Sequence, residues 1–258
     1  MRQARARWRQ EWQVFLLALQ FLTRLPVPGD VPFSDDLQTR SAQYYPLVGV
    51  VVGLIGGAAL WAAAQVWPGA PALLLSLAAT LLATGALHED GLADAADGLG
   101  GGTTRDRALE IMRDSRIGSY GVVTIAVVLA LKIAVLAAMP PQIAVAALIC
   151  AHGLSRMAPV HLIATTDYAR VDGNKFAAPT VTPQGYRVAL LISFVILIAA
   201  LLMLGAGALV CGLLGMAVLG WGFRALFLRK LGGYTGDCLG GTQQLTELGF
   251  YLGVAAAL

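Results

Sequence analysis

The sequence predicts an all-α polytopic membrane protein: a helical bundle of about seven transmembrane helices behind an N-terminal interfacial amphipathic helix. Composition is the first observation. The chain is 57% hydrophobic and only 13% charged, with a mean hydropathy of +0.71, where a soluble domain carries about 25% charged residues. The second is that apolar runs recur at roughly 20 residues, the length that crosses a bilayer as helix. The third is the placement of Lys and Arg, which fall in alternate loops as the positive-inside rule requires. The 258 residues read as a single integral-membrane domain. A net charge of +3 is too small to suggest nucleic acid as a partner. Of three cysteines, Cys150 and Cys211 lie inside apolar runs and read as small core residues rather than a disulfide framework.

Residues 4–25 open the chain as the interfacial helix. Trp8, Trp12, Phe15, Leu16, Leu19 and Leu22 recur at helical spacing, with Arg5, Arg9, Gln13, Gln20 and Arg24 between them. Such a helix lies in the headgroup plane, in contact with membrane lipid. Its apolar run from Val14 to Leu22 is short and lacks a small-residue cleavage site, so no cleavable signal peptide is expected. A Pro-rich, acidic loop follows from Pro26 to Asp36. Spans are then expected near residues 46–67, 71–88, 119–138, 142–162, 187–204, 207–224 and 240–258.

Topology follows from the basic residues. Arg2, Arg5, Arg7, Arg9, Arg24 and Arg40 precede the first span, and Arg105, Arg107, Arg113 and Arg116 sit between the second and third. Arg170, Lys175 and Arg187 lie between the fourth and fifth, and Arg224, Arg229 and Lys230 between the sixth and seventh. The intervening turns carry none. The N-terminus and every long loop are therefore expected in the cytoplasm, in a multi-pass protein of the inner membrane.

The chemistry concentrates in residues 88–118. Seven of the 15 acidic residues occupy 26 positions there: Glu89, Asp90, Asp94, Asp97, Asp106, Glu110 and Asp114. On a helix, Asp90, Asp94 and Asp97 fall at i, i+4 and i+7 and share one face. Like charges so placed repel unless a cation joins them, and carboxylate oxygens suit Mg²⁺ or Mn²⁺ rather than zinc. The cluster begins where an apolar span ends, and ionisable groups at that depth are costly and usually functional. Gly100, Gly101 and Gly102 are expected to break the helix. A second acid-striped helix, with Asp106, Glu110 and Asp114, is expected to converge on the same metal. Interleaved Arg105, Arg107, Arg113 and Arg116 serve either as cytoplasmic anchors or as a clamp on phosphates. Carboxylates, a hard cation and arginines together suit phosphoryl transfer.

The central stretch resembles the CDP-alcohol phosphotransferase signature. Asp94-Ala95-Ala96-Asp97-Gly98 matches its first half, and Gly102-Thr103-Thr104-Arg105-Asp106 with Glu110 resembles its second. The halves are closer together here, and no Ala-Arg pair follows the first glycine. A longer resemblance is to the cobalamin synthase (adenosylcobinamide-GDP ribazoletransferase) family, and it spans nearly the whole chain. It is carried by Phe21-Leu22-Thr23-Arg24-Leu25-Pro26, Tyr45-Pro46-Leu47-Val48-Gly49 and the run from His88 to Gly98. Met112-Arg113-Asp114-Ser115-Arg116-Ile117-Gly118-Ser119-Tyr120-Gly121, Ser155-Arg156-Met157 and Gly236-Asp237-Cys238-Leu239-Gly240-Gly241 complete it.

That resemblance implies a reaction. The ribose hydroxyl of α-ribazole, or of its 5′-phosphate, attacks the phosphate on the aminopropanol arm of adenosylcobinamide-GDP, and GMP leaves. It implies Mg²⁺, with Mn²⁺ as an alternative, on Glu89, Asp90, Asp94 and Asp97. Asp97, Asp106 and Glu110 are the catalytic candidates, either of the last two accepting the hydroxyl proton. Arg113, Asp114, Ser115, Arg116, Arg156 and Asp237 are the substrate-binding candidates, although Arg156 reads equally as a structural ion pair and the Gly-rich loop of Asp237 equally as a flexible turn. His88, His152 and His161 lack a partner at ligand spacing and read as packing residues, Lys132 as structural or paired with an acid. Glu247, inside the last apolar run, needs a partner or water. A homo-oligomer is left open. A CDP-dependent phospholipid enzyme and a divalent-cation transporter are the competing readings; the transporter is disfavoured because the acids gather at one edge and no internal repeat is seen.

Overall fold

Glycine and proline punctuation divides the chain into twelve α-helices among the described residues. The computed structural model describes residues 2–29, 31, 33–169 and 179–258, with side chains from residue 8 onward. Arg170 and Lys175, placed by sequence in the loop before the fifth span, lie outside the described residues, as does the side chain of Arg5.

Helix α1 (Arg2–Leu22) packs one face inward. Val14, Ala18 and Leu22, four residues apart, are buried with Leu16 and Leu17, while Trp8 and Trp12 stay 79% and 58% exposed. The expected apolar stripe therefore divides between the bundle and the surroundings. Glu11 staples α1 to the next two elements. Its carboxylate accepts hydrogen bonds from Arg40, from Gln43 (2.8 Å) and from Tyr44 (2.9 Å). Those partners lie on α2 (Asp35–Ser41) and on a 3-10 turn that leads into α3 (Tyr45–Ala64).

Helix α3 reads as a span with a small-residue seam, Gly49, Gly53 and Gly57, against α8 (Pro141–Ser155). A methyl group on Gly53 would lie 2.7 Å from the Ile149 Cα, so the two backbones approach closely, as small residues allow between membrane helices. Helix α4 (Ala70–Thr84) ends at two left-handed residues, Gly85 (φ 65°) and Ala86 (φ 57°). Left-handed backbone is unfavourable for alanine. The chain turns by 89° there and continues as α5 (Leu87–Gly101). The expected glycine break is at Gly102 alone, since its N–H still donates to the Gly98 carbonyl (3.0 Å).

Thr104 caps the short α6 (Arg105–Ile111), and α7 (Ser119–Ala137) comes next. Helices α8 and α9 (Met157–Thr165) meet at Arg156. Then come α10 (Pro183–Leu204), α11 (Ala206–Leu231) and α12 (Gly236–Ala256).

By length and composition five helical segments are able to cross a membrane: Asp35–Ala64, Ser119–Ala137, Pro141–Thr165, Pro183–Leu204 and Ala206–Leu231. The bent α4–α5 pair makes a sixth if counted as one span. The expected count of about seven falls short for two reasons. The second span is broken at Gly85-Ala86. The seventh, α12, is too polar, with Gln243, Gln244 and Glu247 at its middle. It is instead sheathed by protein, packing on α5, α7, α8, α9 and α11. Gly215, Gly249 and Gly253 let α11 and α12 meet backbone to backbone. Apolar side chains such as Leu82, Leu202, Val218 and Trp221 face outward. This is an all-α, multi-pass membrane protein.

Candidate active site

Helix α5 presents two chemically different faces because its residues step round the axis by about 100° each. His88 is buried and Glu89 turns inward, while Asp90 is exposed and Asp94 half-buried on the outer side. Gly91 lies directly against the start of α12, where an added Cβ would be 3.2 Å from the Asp237 Cα and 3.4 Å from the Gly240 Cα. Asp237, half-buried in the first turn of α12, is thereby brought beside the Asp90–Asp94 stretch. It also accepts from the hydroxyl of Thr235 (3.2 Å), whose oxygen caps α12. Further along α5, Gly98 and Gly102 seat Ala108 and Met112 of the α6 region.

The third carboxylate of the expected face does something else. Asp97 is buried, and its Oδ2 accepts from the Gly118 N–H (2.7 Å) and its Oδ1 from the Gly121 N–H (2.9 Å). Both amides belong to the first turn of α7, so Asp97 caps that helix from across the site, with the sign its dipole favours. Glycine is required at 118 and 121 because a side chain there would collide with the carboxylate. Glu89 accepts from Gln244 (2.8 Å) inside the bundle. Among the described residues no three His, Cys, Asp or Glu side chains are grouped to hold a metal ion. Of the four carboxylates expected on a metal, Glu89 and Asp97 meet protein partners, Gln244 and the α7 amides.

The second acid stripe is also shorter than expected. Helix α6 ends at Ile111, so Asp114 is not on its face. Asp114 instead binds Arg116 through Nε (3.0 Å) and Nη2 (2.6 Å) and accepts from the Arg116 N–H (3.1 Å). The hydrogen bonds from Arg116 pull the Asp114 carboxyl down to about 2. Asp106 is 91% exposed beside Arg105, and Glu110 pairs with Arg107 at 2.7 Å. Arg105 is an anchor, donating to the carbonyls of Leu231 and Ala169. Arg113 and Ser115 are exposed in the loop before α7.

Arg156, expected on substrate, lies 2% exposed inside the bundle. Its Nη1 donates to the His152 carbonyl (2.8 Å). It belongs to an interior network that sequence reasoning saw only in pieces. Glu247 is its hub. It accepts from Lys132 (2.7 Å), Gln243 (2.7 Å) and Tyr251 (3.1 Å), and lies 3.2 Å from His152. His88 Nδ1, Glu89 Oε2 and Arg156 Nε are buried without a hydrogen-bond partner among the described residues. All three side chains line one cavity of about 20 Å³. The sequence signal was the pair Lys132 and Glu247, each alone in an apolar run.

The profile of the cobalamin-5-phosphate synthase family matches residues 14–255. The chain belongs to that family. It is therefore a transferase of cobalamin biosynthesis. Relatives named adenosylcobinamide-GDP ribazoletransferase include those of Ralstonia nicotianae, 46% identical over 90% of both chains, and Leptothrix cholodnii, 45% identical over 96% of this chain and 97% of the relative. That of Shewanella frigidimarina is 39% identical over 97% of each. No solved structure matches the chain. The family match takes in α5, the α6–α7 loop and the start of α12.

Proposed function

We propose that the chain transfers the adenosylcobinamide phosphate of adenosylcobinamide-GDP to the ribose hydroxyl of α-ribazole or its 5′-phosphate. GMP leaves, and adenosylcobalamin or its 5′-phosphate forms. The observation that carries the reading is the outer face of α5, where Asp90 and Asp94 stand beside Asp237 at the start of α12. The positive-inside placement of Lys and Arg supports a site on the cytoplasmic side of the inner membrane.

Asp90 and Asp94 fit Mg²⁺, which is characteristically held by one or two carboxylates together with substrate phosphates rather than by an all-protein cage. When bound, the cation neutralises the diphosphate and the charge that develops on it in transfer. The chain's own groups supply the rest. Arg113 and Arg116 meet phosphate oxygens from the α6–α7 loop. Asp114 holds the Arg116 guanidinium by Nε and Nη2 and so orients its remaining N–H donors. Asp106 or Glu110 accepts the proton of the attacking hydroxyl.

The test is a product assay on purified protein in lipid nanodiscs with both substrates. GMP released in step with the cobamide product, and suppressed by excess chelator, is expected. Release of CMP from CDP-diacylglycerol instead, or undiminished turnover in chelator, would overturn the reading.

A further inference from the structure

The carboxylate-bearing helix α5 is not held in place by its own backbone. An 89° turn at Gly85-Ala86 separates it from α4, so continuity with the preceding helix leaves its rotation about its own axis undetermined. The end of α5 is pinned by Asp97, which caps α7. Its start packs against α12 through Gly91 and Leu92, and a side-chain hydrogen bond ties it to the bundle interior. Gln244 Nε2 donates to Glu89 Oε1 at 2.8 Å, and Gln244 Oε1 accepts from Lys132 Nζ at 2.7 Å. Lys132 in turn donates to Glu247 at 2.7 Å. Lys132, Gln244 and Glu247 are all buried, where such contacts are strong and costly to leave unmade.

Helix geometry links this contact to the site. Glu89 and Asp90 are consecutive, so a Glu89 held inward places Asp90, and Asp94 one turn on, toward the outside. We propose that Gln244 is a positioning residue for the transfer reaction: its amide joins the Lys132–Glu247 ion pair to Glu89 and thereby sets the rotation of α5 that presents Asp90 and Asp94. The inference rests on the reading above, in which those two carboxylates serve the reaction. Glutamine suits the position because it is neutral and offers donors to Glu89 and Gln243 and an acceptor to Lys132.

The experiment uses the full chain in nanodiscs. Gln244→Met keeps the volume and removes its three side-chain hydrogen bonds, to Glu89, to Gln243 and from Lys132. It should lower kcat on the order of a hundredfold, as small misplacements of reacting groups do, with KM for adenosylcobinamide-GDP little changed. Without substrate or metal, amides of residues 87–94 should exchange with deuterium faster while those of α11 do not. The swap Glu89→Gln with Gln244→Glu reverses donor and acceptor across the contact with α5, keeps an acceptor for Lys132 and conserves the cluster's charge, giving up only the bond to Gln243, so it should restore both kcat and the slow exchange. Normal kcat in Gln244→Met, or no recovery in the swap, would overturn the proposal. If Gln244→Met does not insert, the swap alone decides, wild-type-like kcat supporting the inference and loss of kcat overturning it. Asp94→Asn run in parallel separates the two levels. If it turns over normally, the parent reading fails; if it is inactive while Gln244→Met is normal, only the positioning claim fails.

Discussion

The outer face of α5 and the interior network that begins one residue away hold the same kind of side chain under opposite conditions. Asp90 is exposed at a membrane-protein edge, where carboxylates remain hydrated and can meet a cation and phosphates. Glu89 is turned inward toward Lys132, Gln244 and Glu247, where a charge survives only with partners. An acidic run in sequence is therefore not one functional unit. A rotation of about 100° along the helix separates the exposed Asp90 from the inward-turned Glu89. Asp97 differs for another reason: it shares the face of Asp90 by spacing, but there α7 covers that face and both its oxygens accept from the α7 amides.

The largest effect expected from breaking the interior is on stability. Glu247→Leu strands Lys132 and leaves Gln243 and Tyr251 without their acceptor, and should cost about 3–5 kcal/mol, the range for removing one partner of a buried pair. Unfolding followed in nanodiscs measures it. The double change Lys132→Met with Glu247→Met should recover most of that loss, because no unmatched charge remains; a double variant as unstable as the single one would contradict the pairing. Asp97→Ala removes a cap and should cost about 1–2 kcal/mol, with turnover falling less than for a carboxylate on the outer face. A loss equal to that of Asp94→Asn would return Asp97 to the reaction itself. The smallest effect belongs to Asp114→Ala. Its pair with Arg116 is on the surface, so the unfolding temperature should not move, while KM for adenosylcobinamide-GDP should rise if that pair orients Arg116 for phosphate.

Much of this arrangement was legible in the sequence. Helix period, apolar run length and the glycine and proline punctuation are local properties, and they placed most spans within a few residues. The i, i+4 spacing placed Asp90 and Asp94 together for the same reason. What the sequence hid was tertiary. Nothing local shows that Asp97 faces Gly118 and Gly121 more than twenty positions on, or that Arg156 points inward. The last helix misled because hydropathy measures what lipid tolerates. Helix α12 is surrounded by protein, so its Gln243, Gln244 and Glu247 find partners on α5, α7 and α8. The left-handed Ala86, which breaks the second span, has no sequence signature beyond its neighbour Gly85.

The division of α5 into a working face and a holding face is tested most directly by Asp94→Asn in purified protein, following GMP release and thermal unfolding on the same sample. The substitution keeps size and removes one negative charge. Turnover should fall on the order of a hundredfold or more, equivalent to about 2.7 kcal/mol, with the unfolding temperature unchanged. Wild-type GMP release from a folded Asp94→Asn protein would contradict the account and place the reaction elsewhere on the molecule.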